Sequence, residues 1–253
     1  MGGAERNARK KKQQSQAQAA VAAARGTNRD RNKIIIGVVV VLVLAVAVIG
    51  GVVWSKSSSS QPTAAAATTA VQAPAKREDG TVLVGKDSAK TTVDVYEDFL
   101  CPVCGKFEKI YGDQIKKEVE GGTIKVRYHV LPMLVRASNP EGYSRDSANA
   151  ALCAADAGKF NAYHASLFNS QPKEGGAGYT KQQLIKLGND VGITGDTFAQ
   201  CVNNGTYEQA AQAELDKANQ TSFFKGTPTV TVGDKVVDVS NSNWLSDIVR
   251  NAN

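Results

Sequence analysis

The chain has 253 residues, of which 42% are hydrophobic and 21% charged, and it carries a formal net charge of +6. This length suits one substantial domain with appendages, or two small domains. The basic excess lies in the first part of the chain while residues 57–253 are slightly acidic, so nucleic acid binding is excluded as the leading function of the folded part.

The N-terminal part predicts a membrane anchor. Residues 1–33 are polar and basic with no apolar stripe, which favours a disordered tail. Residues 34–53 carry no charge, and as a helix they would span about 30 Å, the thickness of a bilayer core. With Trp54 at its far end, this run predicts a transmembrane helix over 34–54, a cytoplasmic N-terminus and export of the rest. A cleaved signal peptide and a buried core segment are the alternatives.

The segment that follows is rich in Ser, Ala and Thr, which predicts a flexible linker over 55–75 and a folded domain over 76–253. Alternating and helical patterns then predict a β-α-β unit, which favours parallel strands. Its elements are the strands 81–85 and 91–99, the helix 101–119 and the strand 123–132.

A long helical block comes next, over residues 143–219. The chain closes with two strands at 227–232 and 235–239, joined by a Gly-Asp turn, and a helix at 243–251. The order predicts an α/β fold interrupted by a helical insertion at about 139–220.

Cys101 and Cys104 lie three positions apart where a predicted strand meets a predicted helix. The unpaired N–H groups of the first helical turn and the positive end of the helix dipole favour a thiolate at Cys101. Pro102 suits this first turn, where no backbone donor is required. Cys104 lies on the same helix face and can resolve a mixed disulfide. The pattern therefore predicts a redox-active dithiol.

Other uses of a C-x-x-C pair are weaker alternatives. A zinc site needs two more ligands, usually a second close pair, and Cys153, Cys201, His129 and His164 are isolated in the sequence. Haem attachment needs a His where the chain has Gly105. A purely structural bridge within the pair is a third alternative. We therefore predict no metal and no cofactor, and expect His164 to pack or hydrogen-bond within the helical block.

The motif Y-E-D-F-L-C-P-V-C-G at 96–105, the helical insertion and G-T-P-T-V-T-V at 226–232 together resemble the DsbA-like branch of the thioredoxin superfamily, especially its membrane-anchored bacterial members. The resemblance covers about residues 80–250. It implies a thioredoxin fold, Cys101 as the exposed nucleophile and Cys104 as its buried partner. It also implies a cis Pro228 facing the pair, whereas the residues alone allow a trans proline on an edge strand. Backbone groups at Thr227 would pair with an extended substrate segment.

Two positions depart from the pattern of the superfamily. Many thioredoxin-fold enzymes have a buried acid six residues before the first Cys, where this chain has Val95. We expect Glu97, or else Asp98, to accept the proton of Cys104, with a solvated or salt-bridged acid as the alternative. Thr227 stands where the best-known oxidases have Val and several isomerases and reductases have Thr, which leaves the direction of electron flow open.

The two remaining cysteines, Cys153 and Cys201, are predicted to form a structural disulfide. Both lie in apolar helical sequence with no cysteine or basic cluster nearby, and an oxidising compartment favours pairing. Two separate buried thiols are the alternative.

The leading function is an extracytoplasmic thiol–disulfide oxidoreductase that oxidises cysteine pairs in exported proteins. The resemblance implies a membrane partner of the DsbB or vitamin K epoxide reductase-like type that reoxidises it. A reductase or isomerase, or a non-catalytic tethered binding module, are the alternatives.

Overall fold

A computed structural model describes residues 61–66 and 69–252 of the chain, with the side chain of the last one left out. The predicted tail at 1–33, the transmembrane segment at 34–54 and residues 55–60 of the predicted linker lie outside these ranges. Within them, no helix combines the length and the apolar character needed to cross a bilayer.

The described strands form one mixed sheet with the order β1-β2-β4-β3-β5-β6. The central strands β3 and β4 are parallel, as the β-α-β pattern predicts, and all other neighbours are antiparallel. The strands are β1 Ala75–Glu78, β2 Thr81–Val84, β3 Thr91–Glu97, β4 Ile124–Val130, β5 Thr229–Val232 and β6 Lys235–Val236.

Helix α1, Pro102–Gly121, connects β3 to β4. It begins with a proline at its first position, where no backbone donor is lost, and ends at Gly122, whose φ of 80° places it in the left-handed region. Ile115 and Val119 of α1 are buried with the inward side chains of the central strands. This packing holds the N-terminus of α1 at the end of β3.

Five α-helices and one short 3-10 helix, Val135–Ala137, lie between β4 and β5, and one more α-helix follows the sheet. Helix α2 contacts β1 and β2, while α6 contacts β4. A disulfide bond between Cys153 of α2 and Cys201 of α5 crosses the insertion, with the two Cα atoms 6.0 Å apart. The helices are α2 Tyr143–Asp156, α3 Phe160–Asn169, α4 Lys181–Asp190, α5 Asp196–Asn204, α6 Glu208–Gln220 and α7 Trp244–Ala252.

The described part of the predicted linker differs from a free tether. The backbone N–H of Ala65 donates to the Ser166 hydroxyl at 2.8 Å. The Asn161 amide donates to the carbonyl oxygens of Val71 and Ala73 at 2.9 and 2.8 Å. These polar side chains of α3 form hydrogen bonds with backbone groups that, from the composition of the segment, would be expected to bond to water. Residues 61–66 and 69–74 therefore lie along the domain before β1 begins, and the expected start of the folded part near residue 76 is corrected to an earlier position.

Candidate active site

The two cysteines of the C-x-x-C motif lie where β3 gives way to α1. Cys101 is the residue before the first helical turn and has an extended backbone, and its N–H donates to the carbonyl of Asp98 at 3.0 Å. Pro102 opens the helix, and Cys104 lies one turn further along it. Both cysteines are free thiols. The pair therefore lies at a helix N-terminus, as the sequence predicts.

The surroundings of Cys101 stabilise its thiolate. A hydrogen bond from the Cys104 thiol lowers the pKa of Cys101 to about 5, and the backbone N–H groups of Val103 and Cys104 add to this effect against the opposing effect of burial. Cys101 is 6% exposed and Cys104 is 1% exposed. The expected exposed nucleophile is thus the more accessible thiol, but it is itself buried because the loop before β5 lies against it.

That loop carries Thr227 and Pro228, joined by a cis peptide bond. The Cys101 sulfur lies 3.3 Å from the carbonyl oxygen of Thr227, to which it donates a hydrogen bond when it is protonated. Thr227 is 126 positions from Cys101 in the sequence, so the fold brings together two motifs that the sequence keeps far apart.

Cys104 has the opposite chemistry to Cys101. Burial raises the pKa of the Cys104 thiol far above its usual range, and its hydrogen bond to Cys101 and the negative charges of Cys101 and Glu97 act in the same direction. One thiol of the pair is therefore an anion near neutral pH while the other keeps its proton. This asymmetry is what nucleophilic attack by one sulfur and later resolution by the other require.

Glu97, the expected proton acceptor, is buried at the end of β3. Its Oε1 lies 2.7 Å from Nε2 of His164, and its Oε2 is buried without a hydrogen-bond partner. As the sequence predicts, His164 packs within the helical block, against Phe160 and Phe168 of its own helix α3. Its hydrogen bond, however, crosses to Glu97 at the end of the sheet. Glu97 is thus buried and not solvated, and it is paired with a buried histidine, as the salt-bridged alternative allows.

Asp98, the second acid considered, organises the loops around the site. Its Oδ1 accepts from the N–H of Leu100 at 2.8 Å, and its Oδ2 accepts from the N–H groups of Met133 and Leu134 at 2.9 and 2.8 Å. The Ser144 hydroxyl also donates to Oδ2 at 2.5 Å. Burial raises the pKa of Asp98 to about 6 against these hydrogen bonds. Asp98 therefore joins the end of β3 to the start of the insertion.

Sequence reasoning missed Gln171, which follows α3. Its Nε2 donates to the carbonyls of Phe99 and Cys101 at 3.1 and 2.9 Å. A Cβ atom at Gly105 would lie 2.3 Å from Oε1 of Gln171, so only glycine leaves room for this contact. The glycine directly after the motif is a visible signal of close approach, but nothing in the sequence indicates its partner.

The arrangement of Cys101 and Cys104 at the start of α1 allows redox chemistry. The two thiols can together lose two electrons and form a disulfide bond.

Comparisons with known proteins agree with this geometry. A family model described as thioredoxin matches residues 77–250. The crystal structure of oxidised DsbA from Mycobacterium tuberculosis is 31% identical, with a TM-score of 0.58, and the match covers 72% of this chain and 92% of that one.

Two curated relatives also match. The serine/threonine-protein kinase PknE of Mycobacterium tuberculosis is 32% identical over 177 residues, which cover 66% of this chain but only 31% of the kinase. Disulfide bond formation protein D of Bacillus subtilis is 28% identical over 172 residues, which cover 62% of this chain and 70% of that protein. The chain thus spans under a third of the length of the first relative and most of the length of the second.

Proposed function

The chain belongs to the thioredoxin family, in its DsbA-like branch, and we propose that it is an extracytoplasmic thiol–disulfide oxidoreductase that oxidises cysteine pairs in exported proteins. The observation that carries the proposal is the asymmetry of the dithiol. Cys101 has a pKa lowered to about 5, whereas burial keeps the proton on Cys104.

The reaction begins from the Cys101–Cys104 disulfide. A substrate thiolate attacks the Cys101 sulfur, so that a mixed disulfide forms, the Cys101–Cys104 bond breaks, and Cys104 leaves as a thiolate that takes up a proton. A second substrate thiolate then attacks the substrate sulfur of the mixed disulfide and releases Cys101 as a thiolate. The substrate loses two electrons and forms a disulfide, and the enzyme gains them as its reduced dithiol.

The low pKa of Cys101, the leaving group, supports the proposed direction, in which the enzyme oxidises its substrate. A thiol of low pKa is a good leaving group, so the release of Cys101 from the mixed disulfide is fast and the reduced enzyme is stabilised. DsbA is a strong oxidant because its reduced form is stabilised, and we extend that direction to this chain on the strength of the likeness. Thr227 beside Pro228 supports the alternative of a reductase or isomerase, and a titration of the reduction potential separates the two.

The N-terminal sequence supports the proposed location of the catalytic domain outside the cytoplasm. The uncharged run at 34–53 after a basic tail supports a single-pass anchor with the catalytic domain outside the cytoplasm. A membrane partner of the DsbB or vitamin K epoxide reductase-like type would then accept the two electrons. Protease added to intact cells should degrade the domain, and full protection in cells with an accessible surface would contradict this location.

The test of the activity is oxidative refolding of a reduced, unfolded protein that needs disulfides. We expect the oxidised wild-type chain to return substrate activity, and the Cys101→Ser variant to have none because it lacks the attacked sulfur. Equal turnover by both would overturn the proposal and favour a non-catalytic binding module.

A further inference from the structure

The turn that carries Cys101 is buried and lies outside any helix or strand. Strand β3 ends at Glu97 and α1 begins at Pro102, so residues 98–101 lie between the two elements. Phe99 and Leu100 of this turn are 1% and 0% exposed, so their backbone groups need hydrogen-bond partners within the protein. The conformation of the turn therefore depends on the groups that bond to it.

Asp98 and Gln171 provide these partners. The N–H of Leu100 donates to the Asp98 carboxylate at 2.8 Å, and the N–H of Cys101 donates to the Asp98 carbonyl at 3.0 Å. Nε2 of Gln171 donates to the carbonyl of Phe99 at 3.1 Å and to that of Cys101 at 2.9 Å. We call Gln171 and these two carbonyl groups the Gln171 clasp. Asp98 thus binds N–H groups of the turn, while Gln171 binds its carbonyls.

The Cys101 carbonyl connects the clasp to α1. It also accepts from the N–H of Gly105 at 3.1 Å, which is the first hydrogen bond within the helix. Gln171 therefore holds the residue from which the helix starts. This fixes the Cys101 sulfur relative to the N–H groups of Val103 and Cys104, which help to stabilise its thiolate. Gln171 acts on the sulfur through the backbone.

The clasp has room because residue 105 is a glycine. The three atoms nearest to a Cβ atom placed there all belong to the Gln171 side chain, and the nearest of them, Oε1, would lie 2.3 Å away. Gly105 lies inside α1, where alanine would favour the helix more than glycine does. The chain thus has a weak helix former at a position where any side chain would displace Gln171.

Gln171 is itself held by contacts outside the site. Its N–H donates to the carbonyl of Phe168 at 3.3 Å, at the end of α3. The Tyr179 hydroxyl donates to the carbonyl of the preceding residue, Ser170, and the Ser170 hydroxyl lies 3.0 Å from that of Thr63 in the N-terminal segment. Because its backbone is fixed, the Gln171 side chain loses little further freedom when it binds the turn.

We propose that Gln171 is a positioning residue of the dithiol, which holds the Cys101 sulfur at the helix N-terminus and thereby stabilises the reduced enzyme. In the oxidised form Cys101 carries no charge, so the helix N–H groups favour the reduced form. The inference rests on the proposed function and deepens it, because a more stable reduced form makes the enzyme a stronger oxidant. Gln171 itself gives and takes no electron or proton.

Two measurements on the full-length protein test the clasp. They are the pH midpoint of Cys101 alkylation and the equilibrium constant for exchange with glutathione at pH 7. Gln171→Ala removes the side chain, and Gln171→Met keeps its length but has no donor. In both we expect the midpoint to rise from about pH 5 to about pH 6. The reduced form should become about tenfold less favoured, because a thiolate of higher pKa is less stable at pH 7.

Gln182→Ala, at an exposed glutamine of α4, is the matched control for these variants and should keep both wild-type values. Wild-type values in Gln171→Met would overturn the proposal, since they would show that the side chain acts by its volume and not by its hydrogen bonds.

Gly105→Ala tests the same contact from the other side. In the wild-type background the new methyl group displaces Gln171, so this variant should reproduce both shifts of Gln171→Ala. In the Gln171→Ala background it should add no further shift, whereas independent effects would multiply to about a hundredfold change in the equilibrium constant. Gly121→Ala, at the other end of α1, is the control, because the nearest atom to its Cβ would be the Thr123 hydroxyl oxygen at 3.6 Å.

Circular dichroism and urea unfolding show whether each variant is folded. If Gln171→Ala does not fold, Gln171→Met takes its place in both comparisons. Independent effects of the two substitutions in the double variant would overturn the clasp and leave the proposed function intact. A wild type that does not exchange with glutathione would overturn the proposed function, and the alkylation midpoints would then decide on the clasp by themselves.

Discussion

The two cysteine pairs of this chain lie in regions with opposite properties. Cys101 and Cys104 are free thiols at the N-terminus of α1, beside the carbonyl of Thr227. Cys153 and Cys201 are joined by a disulfide between two helices of the insertion. The first pair is close in sequence, while the second is 48 positions apart.

The difference shows that reactivity comes from the surroundings of a sulfur rather than from the residue type. Helix N–H groups and the neighbouring thiol stabilise an anion at Cys101, and burial prevents one at Cys104. At the second pair, the bond closes a long loop and limits the freedom of the unfolded chain. One pair is therefore suited to electron transfer and the other to stability.

Substitution of single sulfurs in the first pair should have the largest effect. We expect Cys101→Ser to abolish disulfide exchange, and Cys104→Ser to accumulate covalent mixed disulfides because Cys101 can still attack but nothing resolves the product. Non-reducing electrophoresis after incubation with substrate measures both. A Cys104→Ser protein that forms no adducts and keeps full turnover would contradict the roles of Cys101 as nucleophile and Cys104 as resolving thiol.

Removal of the second pair should affect stability alone. The double variant Cys153→Ala, Cys201→Ala should lose up to about 4 kcal/mol of unfolding free energy, the chain-entropy value for a loop of this length. Urea unfolding measures the loss, and the glutathione reaction at Cys101 serves as the control. A parallel loss of Cys101 reactivity in folded protein would contradict the separation of the two regions.

Asp98 links the two regions, and its substitution should have the smallest effect. The Asp98→Asn substitution replaces one carboxylate oxygen by an amide nitrogen, which cannot accept hydrogen bonds, so we expect a loss of about 1–3 kcal/mol of unfolding free energy. Because burial raises the folded pKa of Asp98 from 3.8 to about 6, the folded state binds the proton more tightly than the unfolded state. The contribution of Asp98 to stability should thus decline as pH rises from about 4 to 6.

The advantage of the wild type over Asp98→Asn should accordingly be largest near pH 4 and constant above pH 7. Unfolding curves of both proteins in the oxidised form measure it, since the Cys101–Cys104 disulfide then leaves no thiol that titrates beside Asp98. An advantage that grows with pH would show that Asp98 is stabilised as an anion by its hydrogen-bond donors.

Local patterns were enough to predict the central part of the fold. Val93 and Val95 alternate along β3 and are both buried, and Pro102 and Gly122 mark the two ends of α1. The pairing of Cys101 with Cys104 also follows from local spacing. These features depend on neighbours in the chain, which a sequence displays directly.

The rest depends on tertiary contacts that no local pattern encodes. Glu97 and His164 are 67 positions apart, and Gln171 reaches the carbonyl of Cys101 from 70 positions away. The charged strand β1 lacks apolar alternation, and its pairing with β2 provides the hydrogen bonds that define it. Such contacts form only once the insertion packs on the sheet.

The most direct measurement is alkylation of the reduced protein by iodoacetamide, mapped by mass spectrometry from pH 4 to 9 under conditions that reduce only the accessible disulfide. We expect modification at Cys101 alone, with a rate that rises through a midpoint near pH 5, and no modification of the three other cysteines. Modification of Cys104 at a comparable rate, or a Cys101 midpoint near pH 8–9 as in a free thiol, would contradict the proposed asymmetry of the dithiol. Modification of Cys153 in folded protein would contradict its place in a structural disulfide.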